Sequence, residues 1–176
     1  EKFQSYLMEQ RIKGFAEEKD EHLLLRLEGL SHHGMEPHKG LNAGLALARF
    51  LHEIDLDERG QQFISLIYTH FVDGFFGEKL SIRYKDDISG QLTVNVGTFN
   101  YTVDGEAKLG VNIRYPVTAT VDTFMDKLKT AAKRHKFTIA PEIIDQKPHH
   151  VNPDHKLVRT LQKVYEEQTG EKAELL

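Results

Sequence analysis

The sequence predicts an α+β fold: a ferredoxin-like β-α-β-β-α-β domain with one extra helix and one extra strand, in which helices cover an antiparallel sheet. Three observations predict it. Apolar and polar residues alternate over short segments near residue 25 and between residues 80 and 115, which is typical of half-buried strands. Between these segments, apolar residues recur at helical spacing. The dipeptide Asp104-Gly105 separates two alternating segments, which favours a hairpin.

The first part of the chain is predicted to form a helix, a strand and a second helix. Residues 1–20 are assigned to a lead-in helix, because apolar side chains recur at helical spacing from Phe3 to Phe15. Leucines alternate with polar residues over 23–28, which predicts a half-buried strand. A loop that contains glycines and a proline separates this strand from a helix over about 42–54.

The centre of the chain is predicted to add the extra helix and most of the strands. After Asp57 an apolar stripe recurs at helical spacing, and its members are Phe63, Leu66, Ile67, His70 and Phe71. Alternation that begins at Leu80 predicts strands with a turn at 86–90 before the Asp-Gly hairpin. The pattern then predicts a helix over 121–134 and a last strand over 137–144.

The tail is predicted to form a separate helix. Asn152 is the expected N-cap, Pro153 the first-turn residue and Gly170 the stop. The predicted organisation is therefore the lead-in helix, a ferredoxin-like domain over 21–147, and a linker with a terminal helix over 148–176. A helix that begins almost at the first residue, with no cap, indicates that the chain was cut from something longer.

Composition argues against several classes of function. The absence of cysteine from the 176 residues excludes disulfides, thiolate metal sites and cysteine nucleophiles. The net charge is −4 and no basic cluster stands out, which argues against a nucleic-acid partner. No apolar run is long enough to cross a membrane. The remaining oddity is a total of ten histidines, which makes metal or proton chemistry worth testing.

A loop rich in histidine is the first candidate site. His32, His33 and His38 lie close to Glu36 in a segment interrupted by Gly34 and a proline. Metal sites need side chains that converge, usually from one helix face or from several elements. The spacing in this loop does not enforce convergence, so the residues alone favour a polar loop with solvent-facing histidines over a metal site.

Arg114 is the second candidate. Alternation places it on the non-core face at the end of a predicted strand, together with Asn112. A guanidinium there can hold a carboxylate with two parallel hydrogen bonds. From the spacing alone, an ordinary exposed strand arginine is favoured over a binding residue.

Several strings of the sequence resemble one family when they are taken together. Residues 29–37 are GLSHHGMEP and residues 40–44 are GLNAG, and FFGEKL, GQLTVNVG and IRYP follow in that order. This series is similar to the lid region of the PepV-like bacterial dipeptidases, within the di-zinc exopeptidases that include carnosinases, aminoacylases and carboxypeptidase G. The resemblance covers nearly the whole chain, and the strings are far more specific together than singly.

The resemblance implies a role for each candidate. In this family a catalytic domain binds two zinc ions and a lid domain closes over the substrate. The histidine of the His-Gly motif maps to His33, which is expected to stabilise the oxyanion of the tetrahedral intermediate. The arginine of the IRYP segment maps to Arg114, which is expected to bind the carboxylate of a dipeptide substrate. None of the family's zinc ligands can be placed in this sequence, so no metal site is expected in the chain itself.

The resemblance therefore predicts the lid of a cytoplasmic, monomeric metallo-dipeptidase that is inactive without its own catalytic domain. Its expected partners are that domain and a dipeptide, with neither nucleic acid nor membrane. Related lids mediate dimerisation through the same ferredoxin-like unit. A non-catalytic dimerisation or interaction module is therefore the alternative.

Overall fold

Helices and antiparallel strands both form in residues 1–141 and 143–175, which are the residues that the computed structural model describes. The chain divides into two units, Glu1–Gln146 and Lys147–Leu176. The elements of the first unit are α1 (Lys2–Gln10), β1 (Gly14–Lys19), β2 (His22–Leu27), α2 (Ala43–Leu51), α3 (Glu58–His70), β3 (Lys85–Asp86), β4 (Gly90–Gln91), β5 (Thr93–Tyr101), β6 (Ala107–Arg114) and α4 (Asp122–Arg134). The second unit contains α5 (Lys156–Thr169).

The predicted α+β class is confirmed, and the combination of helices with antiparallel strands is consistent with a ferredoxin-like domain. Within the described residues the strands pair as three antiparallel ladders, namely β1 with β2, β3 with β4, and β5 with β6. The predicted helices over 42–54 and 121–134 correspond to α2 and α4. The extra helix is α3, and every member of its predicted stripe is buried.

The main core lies on one face of the β5–β6 hairpin. Val94 and Val96 of β5 are buried and belong to the same apolar cluster as Leu66 of α3 and Phe124 of α4. A second cluster joins α2 to α3. Because helices bury the apolar face of β5, its opposite face is the one on which polar residues can be displayed.

The lead-in helix is shorter than predicted. It ends at Gln10 because Arg11 adopts a left-handed conformation with φ 55°, and the chain then forms β1. A tight turn at Asp20 and Glu21, both with positive φ, pairs β1 with β2 as a hairpin. Such turns are usually signalled by glycine or asparagine, and this pair contains neither.

Two predicted strands are not observed. The segment that begins at Leu80 contains a 3₁₀ turn, Glu78–Leu80, followed by Ser81 at φ 58°, so its apolar residues are buried without strand pairing. Among the described residues of 137–144 no strand forms; residue 142 lies outside the described part. The Phe137 N–H donates back to Ala132, and Pro141 has no N–H to give to a ladder.

The terminal helix also begins later than predicted. His155 is its N-cap and accepts a hydrogen bond from the Leu157 N–H, whereas Asn152 accepts one from the Asp154 N–H in the preceding turn. Gly170 ends the helix in a left-handed conformation with φ 71°, as predicted. None of the helices in the described part of the chain has the length and apolar character needed to cross a lipid bilayer.

Candidate functional site

The histidine-rich loop is closed at its base by backbone hydrogen bonds. Leu30 and Leu41 form an isolated antiparallel bridge in which each N–H donates to the other residue's carbonyl at 2.9 Å. Gly40 permits this close approach, since a Cβ at that position would lie only 2.7 Å from the carbonyl oxygen of Leu30. The bridge therefore holds the two ends of the loop formed by residues 31–40 close together.

Asn42 fastens the end of this loop to the β5–β6 hairpin. Its side-chain oxygen accepts from the Leu45 N–H at 3.1 Å, which caps α2, and its amide donates to the Val96 carbonyl at 2.7 Å. Gly44 lets α2 approach the strand, because an added Cβ would lie 2.3 Å from the ring of Phe99. The string from Gly40 to Gly44 therefore positions the loop against β5.

The face of the β5–β6 hairpin opposite the core is polar at one end. Thr93 pairs with Arg114, and Asn95 pairs with Asn112. Residues directly opposite each other, and residues two apart on one strand, share a face of a ladder. These four side chains therefore form a polar face, on the side away from Val94.

The loop meets this polar face at Gly34. A Cβ built on Gly34 would lie 3.7 Å from Nη2 and 4.0 Å from Nε of Arg114, and 4.0 Å from Nδ2 of Asn95. These are ordinary van der Waals distances, so the loop lies directly against the guanidinium and the amide. The structure thus places the residue that follows His33 beside Arg114, although the two are 80 positions apart in the sequence.

The ring of His33 is oriented by a backbone contact. The Met35 N–H donates to Nδ1 of His33 at 3.3 Å. Because Nδ1 is the acceptor, the neutral imidazole carries its proton on Nε2. His33 is exposed, so this Nε2–H is available to donate a hydrogen bond to a ligand.

The other charged residues of the loop interact with one another. Lys39 donates to the carboxylate of Glu36, and Nδ1 of His32 lies 3.7 Å from the same carboxylate. The hydrogen bond from Lys39 is the largest influence on the pKa of Glu36, which lies below its usual value. The ring of His38 packs against Phe76, with 5.1 Å between centroids. His32 therefore contacts Glu36 and His38 contacts Phe76. His33 directly precedes Gly34, which lies against the polar face.

No zinc centre can be built from the part of the chain that the structure describes. Among those residues, no three or more His, Cys, Asp or Glu side chains form a group that could hold a metal ion. The two zinc ions implied by the family resemblance therefore have no ligand set among the described residues.

Sequence reasoning missed Asn95 as a site residue. Asn112 was placed on the same face as Arg114 by alternation, but Asn95 belongs to a different predicted strand. Its position between Val94 and Val96 was a usable signal, because a polar residue flanked by two buried valines must point away from the core.

Comparison with known families agrees with this arrangement. Residues 23–139 match the peptidase dimerisation domain of the M20 peptidases, a range that includes the loop, α2, α3, β5, β6 and α4. The chain belongs to this M20 domain family. The match covers both His33 and Arg114 but does not by itself assign a role to either.

Two relatives of this M20 domain are named as putative dipeptidases. The chain is 46% identical over 164 residues to a Bacillus subtilis protein named "Putative dipeptidase YtjP", covering 93% of this chain and 35% of the relative. It is 30% identical over 172 residues to a "Putative dipeptidase" of Staphylococcus epidermidis, covering 98% of this chain and 36% of the relative. The chain therefore spans about a third of the length of the curated relatives it matches.

Proposed function

We propose that this chain is the substrate-covering lid of a metallo-dipeptidase, with Arg114 binding the terminal carboxylate of a dipeptide and His33 donating to the oxygen of the scissile carbonyl. The observation that carries the proposal is the contact at Gly34, where the histidine loop lies against the Arg114 guanidinium. This contact supports a surface on which the groups proposed to bind the scissile carbonyl and the terminal carboxylate lie close together.

Arg114 is suited to carboxylate binding. Its side chain is exposed and makes no hydrogen bond or ion pair with any residue that the structure describes. The edge formed by Nε and Nη2 faces the loop, and this edge can form two parallel hydrogen bonds with a carboxylate. Recognition of a free carboxylate limits a peptidase to chain ends, because an internal peptide bond offers no such group.

His33 is suited to oxyanion stabilisation. Its Nε2–H is fixed as the donor by the contact between Nδ1 and the Met35 N–H. A donor aimed at an oxygen that gains negative charge stabilises the transition state more than the ground state. Its effect therefore belongs to the chemical step rather than to substrate binding.

The rest of the proposed enzyme lies outside the chain. Two zinc ions would be bound there by a catalytic domain, and residues 148–176 would lead back to it. We propose a monomeric cytoplasmic enzyme, of which this chain alone is inactive. Support comes from the relatives named as dipeptidases, about a third of whose length this chain matches.

Substitution of Arg114 tests carboxylate recognition in the full-length protein that contains this chain. Arg114→Ala is expected to lower kcat/KM for a dipeptide by about 10- to 100-fold, since hydrogen bonds to charged groups contribute about 1.5–3 kcal/mol. The matched substrate is the same dipeptide with a C-terminal amide, for which the loss should be much smaller. Equal losses for acid and amide would exclude this role.

Substitution of His33 tests the oxyanion role. His33→Ala should lower kcat by about 100-fold or more, as removal of an oxyanion donor does elsewhere, with little change in KM. His32→Gln is the matched control, because the neighbouring ring contacts Glu36 instead, and it should leave kcat nearly unchanged. A variant of His33 that raises KM alone would contradict the assignment.

Dimerisation is the second candidate function, and the description of the matching family favours it. It makes a different prediction for the oligomeric state. Light scattering of the full-length protein across a concentration series would give a monomer mass if the lid proposal is complete. A stable dimer would show that the domain also joins two copies, and the kinetics of Arg114→Ala would then decide whether it binds substrate as well.

A further inference from the structure

Asn95 is distinguished from the other described asparagines by partial burial without a side-chain hydrogen bond, since Asn112 also lacks such a bond but is exposed. Asn42 bonds to Val96 and Leu45, and Asn100 donates to Glu106 at 3.2 Å. Asn95 is half-buried, yet its side chain makes no hydrogen bond with any described residue. A half-buried amide without a protein partner can satisfy its donors only with water or a ligand.

The position of this amide is defined by two independent contacts. The strand register places Asn95 on the same face of the β5–β6 hairpin as Arg114. The loop contact places Nδ2 of Asn95 and the Nε–Nη2 edge of Arg114 within 4.0 Å of one point beside Gly34. Three nitrogen donors from two strands therefore converge on one small region.

We propose that Asn95 is a specificity-determining residue, which donates through its amide to the same terminal carboxylate that Arg114 binds. This inference rests on the proposed dipeptidase function and adds a second residue to its carboxylate site. A carboxylate has about four acceptor positions, and a bidentate arginine fills two of them. A neutral amide supplies a further donor without adding a second positive charge.

The chemistry of the site explains why an amide is needed at this position. Aspartate at 95 would be almost the same size but would offer only acceptors and a negative charge, so it would repel the carboxylate. Alanine would leave Arg114 in place and remove only the additional donor. The two substitutions therefore predict effects of different size on the same substrate.

The test uses Asn95→Ala and Asn95→Asp in the full-length protein, with a dipeptide and its C-terminal amide as substrates. Asn95→Ala should raise KM for the dipeptide about 10-fold, with kcat changed less than about twofold and little effect on the amide. Asn95→Asp should raise KM for the dipeptide further. Asn100→Ala is the control on the same strand, since its amide bonds to Glu106, and it should match the wild type.

Failure of this inference can be told apart from failure of the proposed function. If the wild type does not hydrolyse dipeptides, or if Arg114→Ala lowers activity on acid and amide equally, the proposed function is wrong. If Arg114→Ala selectively loses the acid while Asn95→Ala and Asn95→Asp retain wild-type KM, only the role of Asn95 is wrong.

The double variant of Asn95 and Arg114 gives a second readout. Two donors to one carboxylate should be coupled, so the double variant should lose less than the product of the single losses. Strictly multiplicative losses would overturn the shared carboxylate. If thermal unfolding shows that Asn95→Ala is poorly folded, Asn95→Val replaces it, because valine is favoured in strands and has no donor, and wild-type KM in that folded variant would likewise overturn the proposal.

Discussion

The β1–β2 and β5–β6 hairpins have the same antiparallel pairing and very different surroundings. Both are antiparallel ladders of alternating residues. In β2, however, Leu23 is 65% exposed and Leu24 is 46% exposed, although they point to opposite faces, whereas Val94 and Val96 of β5 are 4% and 3% exposed. A paired strand can thus form without burial, and the burial of β5 depends on α3 and α4 packing against it.

The difference bears directly on the candidate site. A strand with one face packed against helices has little freedom to move, so side chains on its other face are held in defined positions. Asn95 and Arg114 lie on such strands, and Asn42 adds a side-chain bond to the Val96 carbonyl. The exposed leucines of β2 have no comparable packing, and that hairpin is a poor support for a precise binding site.

The largest expected effect comes from replacing a buried leucine beside β5, and it is compared with the replacement of an exposed leucine in β2. Leu92 directly precedes β5 and is 0% exposed, so Leu92→Ala is expected to lower the free energy of unfolding by about 2–5 kcal/mol. Leu23→Ala removes the same atoms from the exposed hairpin and should change it by less than about 0.5 kcal/mol. Urea unfolding of both variants measures the difference.

The exposed Leu23 is the control for the buried Leu92. Losses of similar size would mean that β1–β2 is also packed in solution, for instance against another part of the full-length protein. Unfolding should therefore be compared in the 176-residue chain and in the full-length protein, since only the second would then show a large effect of Leu23→Ala.

The elements that the sequence predicted correctly include buried ones, such as α3 and β5, and exposed ones, such as β2 and α5. The stripe of α3 and the alternation of β5 both face the core, so periodicity and burial agree. The failures have local causes. The turn at Asp20 and Glu21 lacks glycine or asparagine, and Pro141 lies inside the predicted last strand. Alternation from Leu80 reflects burial in a 3₁₀ segment rather than strand pairing.

The candidate site shows a different limit. His33 and Arg114 were found through a family resemblance, and their roles stay predictions. Their proximity could not be derived from the sequence, because it depends on the bridge between Leu30 and Leu41 and on the contact at Gly34. Asn95 was missed because an isolated polar residue in a strand resembles any solvent-facing position until the loop above it is known.

The pH dependence of stability is expected to come from His135, which directly follows α4. Burial, and after it the neighbouring His70 and Arg134, lower the pKa of His135. The unfolded chain then binds a proton near pH 6.5 that the folded chain binds only at lower pH. Stability is therefore complete above about pH 6.5 and decreases as the pH falls through this window toward the folded pKa.

This effect is expected to be smaller than that of Leu92→Ala. The urea midpoint should fall between about pH 7.5 and about pH 5.5, and His135→Gln should reduce that fall. His22→Gln is the control, because His22 lies on the exposed β1–β2 hairpin, and it should leave the dependence unchanged. An undiminished fall in His135→Gln would assign the dependence to another group.

The smallest effect concerns Asp145, which directly follows the predicted last strand over 137–144. Tyr115, directly after β6, donates its hydroxyl to Asp145 at 2.5 Å, and its ring packs edge-on against Phe124 with 5.4 Å between centroids. This side-chain bond holds the end of the segment, while Phe137 at its start packs against the core. Tyr115→Phe keeps the ring and removes the hydroxyl, so it should cost only about 0.5–1 kcal/mol.

Alkaline titration identifies this bond independently of the small change in stability. Burial, and after it the hydrogen bond to Asp145, raise the pKa of Tyr115 to about 12. The stabilisation is therefore fully present below the unfolded pKa of about 10 and is lost as the pH rises from there toward the folded value. Burial also raises the pKa of Tyr6 and of Tyr101, so absorbance titration should show several late-ionising tyrosines. One of them should disappear in Tyr115→Phe and ionise earlier in Asp145→Asn, while Tyr165→Phe should retain them all. If Tyr115→Phe and Asp145→Asn both leave the alkaline titration unchanged, the bond between Tyr115 and Asp145 is not formed in solution.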